Sequence, residues 1–349
     1  MAANVLRSLL LAGLLAAGYP GHAQQPPPDS SYIQLFSDTL NLRLLWVSRG
    51  FDLRVSHAQQ AGTQLFLPRY RPRVGVGGFL WNIGFNLLLP LALPQAPDEG
   101  RFRRFDFQGS LFARRWLIDG SFHRYQGFTV RTVGDPMATG DADRFLGQLL
   151  TKKIQASITY LPGGSHVSLR SPYNQGDRQQ KTSGSLLLSA TGSYFTVREP
   201  TDVIGWRSLA PNEAPLSRVQ VYALSSKLGY VANLTFRSWF LHLFGMTGLD
   251  WQQTYYQQSG DNNSFAVAPT WDVRCGLGYD SGHFYGGVYG TLDYHQFEAG
   301  EWEFQATTGQ VRLFLGIRFP EPAWLHRRKP KILEELQNSP SIPLPPIFG

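Results

Sequence analysis

The chain has 349 residues, a formal net charge of +7 and a single cysteine, Cys275. One cysteine excludes an internal disulfide, and its position far from the N-terminus excludes lipid attachment at a leader cleavage site. The basic residues are scattered along alternating segments and form no helical stripe, which argues against nucleic acid as a partner.

The N-terminus carries the pattern of a secretory signal peptide. Arg7 precedes the apolar run Leu9–Ala17, and Gly21, His22 and Ala23 supply the small residues of a cleavage site. This apolar run is about half of the roughly 20 residues that a helical membrane span needs. We therefore predict a signal peptide over residues 1–23, a linker over residues 24–37 and a location in the outer membrane.

The region 38–319 lacks any run of about 18 apolar residues and instead repeats a period-two alternation. In its first piece, Leu42 and Leu44 alternate with Asn41 and Arg43. Such pieces, separated by turn residues, are typical of membrane barrels, whose strands face lipid on one side and a polar interior on the other. The sequence predicts an all-β fold, a single transmembrane antiparallel β-barrel of about 12–14 strands. The candidate strands are 38–46, 51–56, 72–80, 83–91, 103–114, 116–125, 153–160, 166–173, 184–196, 224–236, 240–251, 265–279, 284–295 and 311–319.

The positions of the tight connections conflict with a simple strand count. If 38–46 is the first strand, the connections at Ser48–Gly50 and Trp81–Asn82 lie on the side where barrels place their long loops. Two explanations stay open: an early strand is miscounted, or the barrel departs from the usual arrangement.

The last candidate strand, Val311–Phe319, is expected to pair with the first strand, because a closed barrel has no free edge. It ends on an aromatic residue and so resembles the terminal signal that the barrel-assembly machinery recognises. Pro320 and Pro322 cannot continue a strand ladder. We predict that residues 320–349 form a Pro-rich, basic periplasmic tail.

Charged residues on the faces assigned to the interior define a predicted lumen lining. Opposite charges in a confined space are expected to pair, because an unpaired charge away from water is costly. The predicted interior is therefore charged, partly occluded and poorly conducting. The lumen-lining residues are Arg43, Arg54, Asp106, Arg114, Asp119, Asp272, Arg274 and Arg312.

Four stretches between Tyr32 and Phe195 carry a family resemblance: "YIQLFSDTLNLRL", "LPRYRPRVGVGGFLW", "LFARRWLIDGSFHRYQGF" and "QQKTSGSLLLSATGSYF". They resemble a Bacteroidetes family of outer-membrane β-barrels that is defined only as a domain of unknown function. The second half of the chain resembles that family mainly in its pattern of alternating strand segments. The resemblance implies an exported barrel without an established activity.

The leading functional hypothesis is a non-enzymatic barrel that serves passage, binding or envelope structure. Its expected partners are outer-membrane lipid and lipopolysaccharide, and no cofactor or metal is expected; the oligomeric state stays open. Asp119, Ser121 and His123 share one strand face and support an alternative, a lipid- or lipopolysaccharide-modifying enzyme. Next-but-one residues on a strand lie nearly 7 Å apart, roughly twice the strand rise, which disfavours direct hydrogen bonds. A soluble lipocalin-like carrier is a further alternative and requires the apolar faces to point inward.

Overall fold

A computed structural model describes residues 29–36, 39–58, 63–68, 72–80, 83–90, 102–113, 115–133, 144–198, 216–258 and 260–322. Within them, Asp29–Pro320 form one compact unit. The predicted signal peptide and nearly all of the predicted tail lie outside the described residues. No helix in the described part is long and apolar enough to cross a membrane.

Fifteen strands and one short helix make up the described part of the chain. The elements are β1 (Ile33–Leu35), β2 (Thr39–His57), β3 (Thr63–Leu67), β4 (Arg73–Leu80), β5 (Ile83–Pro90), β6 (Arg103–Ala113), β7 (Trp116–Val133), β8 (Arg144–Tyr160), α1 (Arg170–Asn174), β9 (Asp177–Gln179), β10 (Ser183–Arg198), β11 (Arg218–Phe236), β12 (Trp239–Gln257), β13 (Asp261–Asp280), β14 (Phe284–Ala299) and β15 (Trp302–Pro320).

Ten strands close an antiparallel ring in the order β2, β3, β7, β8, β10, β11, β12, β13, β14 and β15. The ring closes because β15 pairs with β2 along its whole length, from Pro320 opposite Thr39 to Trp302 opposite His57. The predicted all-β barrel is therefore confirmed. The predicted closing strand, Val311–Phe319, is the last part of β15 and pairs with β2 as expected.

Three further strands extend this ring on one side. β4 continues along β2 beyond the end of β3, β5 pairs with β4, and β6 pairs with β7. Among the described residues, β5 and β6 each pair with one neighbour. Within the described part of the chain, β6 therefore has one edge without a paired strand.

The early strands were miscounted, which resolves the conflict over the connections. β2 runs without interruption through Ser48–Gly50, so the candidates 38–46 and 51–56 are one strand. Trp81 and Asn82 lie outside the described residues, but Leu80 and Ile83, which flank them, lie at the barrel end that also holds Thr39 and Pro320, which we call the terminal end. The opposite end, at His57 and Trp302, is called the distal end.

The strand segments near the terminal end have apolar outer faces. On β2, Leu44 is 63% exposed, whereas its neighbour Arg43 is 4% exposed. On β15, Leu315 is 66% exposed, and the neighbouring Phe314 is buried. We call this part, represented by Thr39–Val47 and Val311–Pro320, the terminal half; its polarity is that of a barrel wall in lipid.

The same strands reverse their polarity towards the distal end. Leu53 and Phe304 are completely buried in an apolar cluster inside the barrel. Arg54 and Gln305, which are paired across β2 and β15, lie on the outer face. This part, represented by Phe51–His57 and Trp302–Ala306, is called the distal half. It has the apolar inside and polar outside of a soluble barrel.

Residues 161–182 connect β8 to β10 and fold into the terminal half of the barrel. Together with β1, which pairs with β9, they form a unit that we call the plug. Leu161, Val167 and Leu169 of the plug pack against inward side chains of the wall such as Phe244. The barrel interior is therefore filled at the terminal end by the chain itself.

The plug corrects two sequence-based predictions. The candidate strand 166–173 is not a wall strand, because its second half begins α1 and most of its side chains, among them Val167 and Leu169, are buried in the interior. Part of the predicted linker 24–37 is β1, where Ile33 is 3% exposed. Joining 38–46 to 51–56 and removing 166–173 leaves twelve candidates; three of these, β4, β5 and β6, lie beside the closed ring, which instead includes β3 and so has ten strands where 12–14 were expected.

Candidate functional site in the barrel interior

The plug is held by wall arginines at the end of α1, where backbone carbonyl groups have no partner within the helix. Arg43 Nη1 of β2 donates to the Asn174 carbonyl at 3.0 Å and to Gln175 Oε1 at 2.9 Å. Arg312 Nη2 of β15 donates to the Tyr173 carbonyl at 2.5 Å. Both arginines belong to the predicted lumen lining, and in the structure they bind the plug.

Arg318 is the most extensively bonded of these wall cations and was not among the predicted residues. Its Nη2 donates to the Gln175 carbonyl at 2.9 Å, and its two terminal nitrogens contact Asp280 at 2.7 and 2.8 Å. The guanidinium also lies over the rings of Phe36 and Tyr285, at 4.0 and 4.6 Å from their centroids. Both partners of the Arg318–Asp280 ion pair are almost fully buried.

A second set of hydrogen bonds ties the plug to the opposite wall. Asn233 Nδ2 of β11 donates to the Ser168 carbonyl at 2.8 Å and to Gln179 Oε1 at 3.1 Å. His242 of β12 contacts Asn233 Oδ1 through Nδ1 at 2.7 Å. The plug is thus bonded to β2 and β15 on one side and to β11 on the other, which fixes it across the interior.

Asp106 of β6 lies at the centre of a charged cluster formed by side chains of β4, β6 and β7. It binds Arg104 and contacts Arg73 at 3.4 Å. Its other oxygen contacts His123 Nδ1 at 2.9 Å and accepts a hydrogen bond from the Tyr125 hydroxyl at 2.6 Å. This carboxylate therefore has four partners, as expected for a buried charge.

The trio Asp119, Ser121 and His123 does not form a catalytic triad in the structure. Ser110 Oγ donates to Asp119 at 2.5 Å, and Arg274 lies 3.4 Å from the same carboxylate. His123 bonds to Asp106 on the neighbouring strand, and the hydrogen bonds of the described residues include none between Ser121 and His123. The strand spacing keeps the three groups apart.

Four carboxylates lie in the middle of the barrel: Asp250 on β12, Asp272 on β13, Asp293 on β14 and Asp119 on β7. Lys227 Nζ donates to Asp272 at 2.8 Å, and His295 Nδ1 lies 2.9 Å from Asp250. Asp293 faces Asp272 across the β13–β14 pair. The described residues contain no group of three His, Cys, Asp or Glu side chains suited to hold a metal ion.

A cavity of about 60 Å³ lies among these groups, in the middle of the interior. It is lined from several strands, among them β7 with Ser121 and β8 with Lys153 and Gln155. One buried water needs about 10–15 Å³ of such volume. The cavity therefore has room for about four waters or one small ion.

Six of the eight predicted lumen-lining residues lie in the interior, and one, Arg54, does not. Arg114 lies outside the described residues. Arg54 points outward, because it lies on the same continuous strand as Arg43 but at an even rather than an odd position. Arg318 was not among the predicted residues, although the alternation that assigned Arg312 to the interior assigns Arg318, on the same face of β15, there as well.

Residues 27–319 match the family described as a domain of unknown function, DUF4421. The chain belongs to this family. The predicted resemblance is thereby confirmed at the level of the domain, which spans the whole barrel. A comparison with curated proteins gives no match.

Several solved barrels are similar in architecture and remote in sequence. The outer membrane protease OmpT from Escherichia coli is 7% identical, with a TM-score of 0.39, over 82% of this chain and 98% of that chain. OprG from Pseudomonas aeruginosa is 9% identical, with a TM-score of 0.25, over 82% and 98%. The toluene transporter TodX from Pseudomonas putida is 10% identical, with a TM-score of 0.28, over 87% and 94%. No statement about activity follows from similarities at this level.

Proposed function

We propose that the protein is an integral outer-membrane barrel that does not act as an open pore. The outer face of the terminal half supports the membrane location, because large apolar side chains such as Leu44, Leu228 and Leu315 are exposed there. In water such a continuous apolar band would be unfavourable, whereas in a bilayer it matches the hydrocarbon core. The lipid-facing partners are then outer-membrane lipid and lipopolysaccharide.

The filled interior is the observation that carries the proposal of a closed barrel. The plug occupies the terminal half, and the apolar cluster around Phe51, Leu53 and Phe304 fills the distal half. A general porin of larger size keeps an aqueous channel through its interior. Here the plug and the apolar cluster both lie between the two ends of the barrel.

Single-channel recording in planar bilayers tests this proposal. We expect no steady open-channel conductance from the folded protein, with a known porin inserted under the same conditions as the control. Large and steady channels in preparations that migrate as a heat-modifiable, folded band would contradict a closed barrel.

The two alternative functions predicted from the sequence have less support. An enzyme built on Ser121 and His123 lacks the required hydrogen bond, and a lipocalin-like carrier requires Leu42 and Leu44 to point inward, whereas both are exposed. Recognition of Val311–Phe319 by the assembly machinery and a Bacteroidetes origin stay predictions. We favour binding or envelope structure over passage as the role of this barrel.

A further inference from the structure

The cavity in the middle of the barrel is lined by three cations, Arg49, Lys153 and Arg274, and by three carboxylates, Asp119, Asp272 and Asp293. Asp272 lies against Lys227 at 2.8 Å, and Asp119 lies 3.4 Å from Arg274. Two of the carboxylates that line the cavity, Asp272 and Asp119, therefore already have a cationic partner. Among the described residues, the third lining carboxylate, Asp293, has no lysine or arginine within 4.0 Å.

Lys153 is the unusual group of this cavity. It lines the cavity and is 7% exposed, yet it forms no hydrogen bond and no ion pair with any described residue. Arg49 also lines the cavity, and its partners are the side-chain amides of Gln310 at 2.6 Å and Gln108 at 3.3 Å. Among the described residues, neither Lys153 nor Arg49 has a carboxylate oxygen within 4.0 Å.

A buried ammonium group without a direct hydrogen-bond or ion-pair partner is costly, and an anion beside it reduces that cost. The same cavity offers neutral side chains that can donate hydrogen bonds, namely Ser121, Gln155 and Gln108. Ser121 lies opposite Gln155 on one side and opposite Gln108 on the other, so the three form one row across β8, β7 and β6. A row of neutral donors beside two cations is a common composition for anion recognition.

We propose that this cavity binds one small oxyanion, of the size of a carboxylate or phosphate group, between Lys153 and Arg49. Its volume of about 60 Å³ suits a group of four or five heavy atoms. Gln108 lines the cavity and is exposed. The cavity is therefore open to exchange on that side. This site goes beyond the closed-barrel role and does not depend on it.

Isothermal titration calorimetry on the full-length protein, folded in detergent, tests the site with inorganic phosphate and with acetate at constant ionic strength. We expect saturable binding of at least one of these oxyanions at one site per chain. Heats that equal those of sodium chloride for both oxyanions would mean that water alone fills the cavity and would overturn the proposal.

Two variants locate the binding. Lys153→Met keeps the length of the side chain and removes the charge, and we expect affinity to fall at least tenfold. Lys152→Met is the matched control, because Lys152 is the neighbouring residue on the outer face, and its affinity should equal that of the wild type. Unchanged affinity in a folded Lys153→Met would contradict the site.

Gln155→Glu keeps the test decisive if Lys153→Met does not fold. This nearly isosteric change places a carboxylate two residues from Lys153 on the same strand face. It is expected to supply the missing anion, so that the variant folds, has a higher thermal midpoint without added oxyanion and no longer binds one. Wild-type binding in this variant would place the anion elsewhere and overturn the proposal.

Discussion

The terminal and distal halves of the barrel are built from the same strands and have opposite polarity. On β2, Leu44 is exposed and Arg43 is buried, whereas further along the same strand Arg54 is exposed and Leu53 is buried. The backbone alternation continues without a break, so the polarity reverses through a change in which positions are apolar. Each half matches a different solvent, lipid for the terminal half and water for the distal half.

The solvent outside each half determines which kind of group fills its interior. A wall with an apolar outside has polar groups inside, and these need partners, which the plug supplies through the carbonyl groups at the end of α1. A wall with a polar outside can fill its interior with apolar side chains, as in the cluster around Phe51 and Phe304. The plug is therefore required only in the terminal half.

The largest effect is expected where the plug is bound by a buried charge. Arg318→Met leaves Asp280 buried without its cation, which we expect to lower the free energy of unfolding by about 3–5 kcal/mol. Arg124→Met is the control, because this arginine is exposed on the outer face, and its effect should stay within about 0.5 kcal/mol. Urea titration of protein folded in lipid vesicles measures both. Equal effects of the two changes would mean that the plug is not bound as described.

A matched pair of leucine truncations on β2 comes next. Leu53→Ala removes a completely buried side chain from the distal core and should cost about 2–5 kcal/mol. Leu44→Ala removes a side chain that faces lipid and leaves no internal cavity, so we expect a cost below about 1 kcal/mol. The same urea titration checks the pair, and a larger loss for Leu44→Ala would reverse the assignment of the two faces.

A charge exchange on the outer face sharpens the comparison further. Leu44→Arg introduces a charge into the apolar band and should cost about 1–3 kcal/mol, between the values for the membrane midplane and the interface. Arg54→Leu changes an exposed position in water, and its effect is expected within about 0.5 kcal/mol. A substantial destabilisation by Arg54→Leu would argue that the distal half is not surrounded by water.

The sequence predicts the strands and the closure of the wall well, because period-two alternation and turn residues are local signals. It does not reveal which face is inside, since alternation alone is the same for Leu44 and Leu53. The direction of Arg54 depended on whether β2 stops at Ser48–Gly50, and that is decided by pairing with β15, a partner more than 250 residues away.

The interior site was only partly predictable for a related reason. Arg43, Asp119 and Arg274 follow from alternation, but their partners do not, because those partners come from distant strands or from the plug. Within residues 161–182, the stretch 166–173 resembles a wall strand, and the polar residues, glycine and proline around it resemble an ordinary loop. Their burial results from the arginines of the wall, a long-range contact that no local pattern of the segment expresses.

The reversal of polarity along one strand is tested most directly by spin labels at positions 44 and 54. Both single-cysteine variants are made on a Cys275→Ser background, labelled with a nitroxide and reconstituted in lipid bilayers. Electron paramagnetic resonance then compares collision with oxygen, which concentrates in lipid, and with a water-soluble nickel complex. We predict that the label at position 44 collides preferentially with oxygen and the label at position 54 with the nickel complex. The same preference at both positions would contradict the account of a barrel that is half in lipid and half in water.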